Sequence, residues 1–317
     1  MNWFSFNSGD FAVAFISVLL EGIPFLLVGS LISGLVDAFV SPERLTRILP
    51  RNPIAAVVFS GALGLIFPMC ECGSVVVIRR FLRKGLPVGC AVSYMLGAPI
   101  VSPIVALSTY AAFRGQNPLE MTCLRLGMGF CIAVVVGLII QQLPARAILQ
   151  PGITPDAPAP QSRGGLRVAS FSETPGGLEP SIGGRFQKAI YSAATDFLDV
   201  AVFFIIGAAV TSLLGTAVQR SVLEPLAANP LLAIVSMMLA AVALALCSTT
   251  DAFIAATSFP AFPMTAKLAF LVFGAMFDLK LYWLYGLIFK RRIVILLGLS
   301  LFVGIALICW RLNALGF

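Results

Sequence analysis

Two clusters of chemically capable residues interrupt otherwise apolar stretches of this chain. In the first, Cys70, Glu71, Cys72 and Gly73 follow Pro68 within RNPIAAVVFSGALGLIFPMCECGSVVVIRRF. In the second, Cys247, Ser248, Thr249, Thr250 and Asp251 lie within ANPLLAIVSMMLAAVALALCSTTDAFIAATSF. Two thiols and a carboxylate within three residues form a soft donor set, suited to thiophilic species such as arsenic, antimony or copper(I). Pro68 ends the preceding helix, and Gly73 is expected to take a positive φ that turns both thiols toward one cavity. The bland alternative is that both cysteines pack silently beside a helix break; a third cysteine at the matching break favours a site. Cys247, Thr249 and Asp251 add a thiol, a hydroxyl and a carboxylate there. Asp251 carries two readings, an acid held in an apolar segment for function or the cap of a helix starting near Ala252.

Other polar residues in apolar surroundings are weighed in the same way. Asp278 and Lys280 can neutralise each other as a structural ion pair or serve ion coupling together with Asp251, and Lys267 is a second possible partner for Asp278. Glu21 and Asp199 occupy corresponding places in two long apolar segments; each is read as an interfacial residue, with proton carriage as the alternative. The run YMLGAPIVSP, Tyr94 to Pro103, combines small residues that permit close helix approach with Pro99 and Pro103, whose freed carbonyls could line a pathway alongside Gly73. The other four cysteines, Cys90, Cys123, Cys131 and Cys309, sit singly in apolar segments as small hydrophobes. The chain has no histidine, and no zinc-hydrolase motif, nucleotide-binding loop or catalytic triad is found. No resident metal, no cofactor, no nucleic-acid partner and no enzymatic activity is expected.

The elements that must position these residues follow from composition. Hydrophobic residues make up 59% of the 317 residues and charged ones 11%, with a mean hydropathy of +0.99, which excludes an ordinary soluble domain. About eight apolar stretches, near 11–40, 53–78, 86–113, 119–142, 189–218, 230–259, 263–289 and 293–310, approach the roughly 20 residues that span a bilayer. Backbone groups in lipid must pair within their own segment, so the fold class is an all-α polytopic membrane protein. A shift of 177 residues lays Cys70 on Cys247, Asn52-Pro53 on Asn229-Pro230 and Gly97-Ala98 on Gly274-Ala275, which divides the chain into two repeats. The first occupies 1–142 and the second 186–317. Between them, 143–185 holds seven of the twenty prolines and seven glycines, the composition of a flexible linker.

Charge chooses between two topologies. If all eight segments cross, basic residues divide almost evenly and give no orientation. If 53–84 and 230–262 are instead re-entrant and turn back at their cysteines, fifteen of the eighteen basic residues outside the apolar segments share one side, and only Arg114, Arg220 and Arg311 face the other. Each half then crosses three times, so the halves are inverted, with both termini outside and the linker in the cytoplasm. Duplicated, inverted halves with interrupted helices are the architecture of a transporter with a central site between the repeats.

At these residues the sequence resembles the predicted-permease family that includes the organoarsenical exporter ArsP and YraQ-type proteins. The resemblance rests on PMCECGSVVVIRRFLRKGLPVGCAVSYMLGAPIVSPIV and on LCSTTDAFIAATSF with AKLAFLVFGAMFDLKLYW. It implies a multi-pass permease of the bacterial inner membrane, with efflux of trivalent organoarsenicals as the associated activity and Cys70, Cys72 and Cys247 as thiolate ligands. The expected function is alternating-access transport of a small thiophilic or metalloid solute, without ATP hydrolysis by this chain. Two alternatives stay open: a thiol–disulfide membrane redox protein cycling at Cys70 and Cys72, and a permease for another sulfur-containing or metal solute.

Overall fold

A computed structural model describes residues 8–39, 49–151, 153, 182–217, 227 and 229–316. Among them the chain is helical, with one isolated antiparallel bridge between Leu149 and Phe289. The first half contains α1 (Ser8–Phe39), α2 (Pro53–Ala62, extended by a 3-10 turn over Leu63–Leu65), α3 (Glu71–Arg83), α4 (Val88–Gly97), α5 (Pro103–Ala112) and α6 (Pro118–Gln141). A short α7 (Ala145–Ile148) follows. The second half contains α8 (Ile182–Ala217), α9 (Pro230–Leu244), α10 (Ser248–Ser258), α11 (Met264–Met276), α12 (Leu279–Tyr285) and α13 (Arg291–Ala314).

Among the described residues, five helical stretches are long and apolar enough to cross a membrane: Gly9–Leu35, Pro118–Gln141, Ala189–Leu213, Met264–Tyr285, which is interrupted at Phe277-Asp278, and Arg291–Ala314. The other expected segments, near 53–78, 86–113 and 230–259, are each broken into two shorter helices. Hydropathy averages over such breaks, whereas the backbone is interrupted by local chemistry. Asn52 and Asn229 cap α2 and α9 alike, accepting from Ile54 N at 3.0 Å and Leu231 N at 3.1 Å, with proline next in the chain. At about 1.5 Å per residue, α2 covers roughly 15 Å and α9 roughly 22 Å, both short of the ~30 Å hydrocarbon core. Pro68 stops the first of these segments, and Ala245, at φ 40°, ends the second.

Gly73 does not act as expected. It lies inside α3, and the glycines with positive φ among the described residues are Gly85, Gly115 and Gly316. Its lack of a side chain lets α3 approach α1: a Cβ at Gly73 would sit 3.2 Å from the Phe25 carbonyl, and one at Gly29 would sit 3.0 Å from the Gly73 Cα. The turn is made instead by Pro68 and Met69, with Cys70 capping α3.

α1 and α8 pack along each other and rest together on α3 and α12. Arg79 on α3 pairs with Asp199 at 3.2 Å. Arg80 pairs with Asp196 at 2.7 Å, and Ser33 of α1 donates to the same Asp196 oxygen at 2.7 Å. α5 and α10 pack on each other, and their outer faces leave Ile104, Leu107 and Phe253 exposed. α11 and α12 form the centre, buried over most of their length, while α1, α6 and α13 turn leucine and isoleucine side chains outward.

The start of the expected linker is ordered. Gln150 N donates to the Ile288 carbonyl at 2.8 Å and Lys290 N to the Ile148 carbonyl at 2.9 Å, so 145–151 docks on the turn before α13. Most of the remainder lies outside the described residues, as do Arg44, Arg47, Arg163, Arg167 and Arg220.

Candidate functional site

Three interruptions in the helices meet in the middle of the molecule. At the first, Cys70 is the N-cap of α3 and its Sγ accepts from Gly73 N at 3.4 Å. Glu71 follows, 1% exposed. At the second, the chain turns at Ala245 and re-enters helix at Ser248 with Cys247 in the cap position. At the third, Phe277 is extended and Asp278 caps α12, accepting from Leu281 N at 2.6 Å.

Lys280 joins all three. Its Nζ donates to the Ala245 carbonyl at 3.0 Å and lies 3.4 Å from Asp278 Oδ2 and 3.6 Å from Glu71 Oε1. Glu71 Oε2 accepts from Ser248 Oγ at 3.1 Å. Arg125, fully buried on α6, donates to the Thr109 hydroxyl at 2.8 Å and to the Ser248 carbonyl at 2.7 Å. The Asp278–Lys280 ion pair is therefore present, widened into a network that includes Glu71. Lys267 pairs elsewhere, donating to Gln116 Oε1 at 3.0 Å.

Asp251 adjoins this network, within electrostatic reach of Arg125. Its backbone N–H bonds to the Cys247 carbonyl one turn back, inside a helix that begins at Ser248 rather than near Ala252, so the capping role does not apply. The carboxylate is 2% exposed and its Oδ2 has no hydrogen-bond partner among the described residues. Gly274 makes room for it, since a Cβ there would lie 3.1 Å from Oδ2. Desolvating an ion costs several kcal/mol. The set buries three acids, Glu71, Asp251 and Asp278, with two cations, Arg125 and Lys280.

Cys70, Cys72 and Cys247 line one cavity of about 20 Å³ together with Glu71, Lys280 and Glu21. That is room for about one water. A second cavity of about 60 Å³ lies beside it, also reached by Cys70 and Cys247 and lined by Pro99, Ser248 and Thr249. Among the described residues no three His, Cys, Asp or Glu side chains converge closely enough to hold a metal ion, so the three thiols share a wall without forming a closed ligand set. Pro103 starts α5. Cys90 and Cys309 are buried elsewhere, and Cys123 and Cys131 are exposed on α6.

Sequence reasoning missed the part played by Glu21 and Arg125. Glu21, read as interfacial, lines the thiol cavity and accepts from Thr250 Oγ1 at 2.9 Å, whereas Asp199 pairs with Arg79. Arg125 was signalled by an arginine within a long apolar helix, and Ser248, already part of the second cluster, lies 177 residues beyond Glu71.

The family model described as ArsP_1, predicted permease, matches residues 8–310. The chain belongs to this permease family. It is 37% identical over 284 residues to the UPF0718 protein YcgR of Bacillus subtilis, covering 89% of this chain and 90% of that protein. It is 30% identical over 284 residues to a Streptococcus mutans protein named "Putative two-component membrane permease complex subunit", covering 89% and 87%. No solved structure matches. A permease with five long apolar helical stretches among its described residues is a multi-pass protein of the bacterial membrane.

Proposed function

We propose that this permease moves a small thiophilic solute, with trivalent organoarsenicals as the substrate class, by reversible binding to Cys70, Cys72 and Cys247. The observation that carries the reading is the shared cavity: three thiols from two interrupted helices open on one small space beside a buried Glu71–Lys280 pair. Thr249 borders the neighbouring cavity. Asp251 is the coupling residue in this reading. Three buried acids with two cations leave the set one positive charge short, and a proton taken up at Asp251, with Asp278 and Lys280 behind it, would restore balance.

The test is uptake by everted vesicles of phenylarsine oxide, antimonite and Ag(I). Accumulation of the organoarsenical, driven by a proton gradient and losing that dependence in Asp251→Asn, is expected. Vesicles that accumulate none of the three probes would remove the reading.

The two halves are inverted repeats in this reading, with 53–84 and 230–262 re-entrant. Support comes from residues that this topology puts on one side and that touch: Leu149 with Phe289 and Arg80 with Asp196 on the cytoplasmic side, Gln116 with Lys267 on the other. Glu71 bonds Ser248, its own counterpart at the 177-residue shift, as expected for residues beside the axis relating two repeats. That axis makes α10 the counterpart of α3 and α5 the counterpart of α12. The α1–α8 pair, seated on α3 and α12, would then find an equivalent seat on α10 and α5, and rocking between the two seats would exchange access. Cysteines introduced at Arg83 and in the 154–181 segment should react only from the cytoplasm, and those at Arg114 and Asn229 only from outside. Arg83 and Asn229 labelled from the same side would refute the inverted arrangement.

A further inference from the structure

We infer that Glu21 is the proton acceptor for the thiols of this cavity, an assignment that rests on the thiol-binding reading above. Every element around Glu21 bears on it. α3 presents Cys70, Glu71 and Cys72, the start of α10 presents Cys247 and Thr250, α12 presents Lys280, and α8 contributes the uncharged ring of Phe204.

Two carboxylates line the cavity, and their commitments differ. Glu71 is fully buried, hydrogen-bonded by Ser248 and paired with Lys280, so a proton taken up there would weaken both interactions. Glu21 is half-buried and held by one neutral hydroxyl, Thr250 Oγ1 at 2.9 Å, which leaves lone pairs for a thiol proton and a route by which to pass it on. Asp251 lines neither cavity. Its free oxygen is directed at Gly274, so it cannot take the thiol proton directly.

Only a thiolate ligates, so a neutral cysteine must give up its proton as the bond forms. With a dihydroxyarsine, each S–As bond forms as an As–O bond breaks. The proton passes from sulfur to Glu21 and on to the departing oxygen, which leaves as water, with no change in oxidation state and no net proton release. With Ag(I), an S–Ag bond forms and the proton remains on Glu21 until it exits to water. Release of the solute reverses these steps. The residue governs how fast the solute is captured and released, while the thiols govern how tightly it is held.

The test uses the purified full-length chain in nanodiscs, with phenylarsine oxide and Ag(I) as probes and stopped-flow binding followed across pH. Glu21→Gln keeps an acceptor for Thr250 and removes the base. Its association rate near neutral pH should fall about 10²-fold, the lower range for loss of a positioned acid–base group, and recover as pH rises, while affinity at high pH stays within about twofold of wild type. Glu21→Ala should be equally slow and accelerated by added formate, which a merely structural role would not give. Wild-type rate and pH profile in Glu21→Gln, or a slow Glu21→Ala that formate leaves unchanged, would overturn the assignment. Serine variants of Cys70, Cys72 and Cys247 run in parallel distinguish the two levels. If they bind both probes as tightly as wild type, the thiol reading falls and Glu21 with it; if they lose binding while Glu21→Gln is unaffected, only the role of Glu21 falls.

Discussion

Serine at Cys70, Cys72 or Cys247 should lower transport of phenylarsine oxide at least about 10²-fold, since even outer-shell partners of soft-ligand sites are worth 10–100-fold. Serine at Cys90, Cys123, Cys131 or Cys309 should leave it near wild type. The local structure makes this contrast clean. Cys70 already caps α3 through Sγ to Gly73 N at 3.4 Å, and serine is a stronger cap than cysteine, so Cys70→Ser should fold at least as well while losing its soft donor. Cys247 occupies the cap position of α10 without a cap hydrogen bond, and serine fits there equally. Cys72 is 3% exposed, so serine buries a hydroxyl at a cost of about 1–3 kcal/mol, and alanine is the better control there. The same cost applies at buried Cys90 and Cys309, where it should appear in thermal stability and not in substrate affinity. Transport in vesicles, normalised to the amount of folded protein, reads the difference. Seven single variants of equal specific activity would eliminate the three-thiol site.

The first of the two interruptions that carry the cysteines was legible because its causes are local. Asn-Pro caps and Pro68 act within one helical turn, and the structure has both caps and the first break where those residues stand, whereas the second break falls at Ala245, which carries no such local signal. The breaks after Gly97 and after Met276 were less legible. Ala98 to Ser102 keep the hydropathy high, and only Pro99, Pro103 and Asp278 signal that the backbone cannot continue. Tertiary placement was the least legible. Glu21 sits in a long apolar helix with no local motif, and it belongs to the site only because α1 is pressed against α3 by the Gly29–Gly73 contact. Asp251 is buried, and its surroundings come from Gly274 and Arg125, neither of which is near it in sequence. The ordered stretch 145–151 was hidden by the composition of the segment that follows it.

Lys280 sets the largest stability effect expected from a single substitution. Its ammonium lies between Glu71 and Asp278 and also satisfies the Ala245 carbonyl released at the second break. Lys280→Met keeps most of the volume and removes the charge, leaving two buried acids without their shared cation. Breaking a buried pair in this way costs about 3–5 kcal/mol, because the remaining charge keeps its desolvation penalty and loses its compensation. The loss should therefore shrink when the stranded acid is neutralised. Lys280→Met combined with Asp278→Asn should be markedly more stable than Lys280→Met alone, with a coupling energy of about 1–3 kcal/mol, the range for residues in one network. Combination with Glu71→Gln should rescue less, since Glu71 retains the hydrogen bond from Ser248 whether or not Lys280 is present, and Asp278 then remains unpaired. Thermal unfolding of the detergent-solubilised proteins measures all three. If Lys280→Met unfolds at the wild-type temperature, the ammonium is not compensating these acids, and the charge balance that assigns a proton to Asp251 must be abandoned with it.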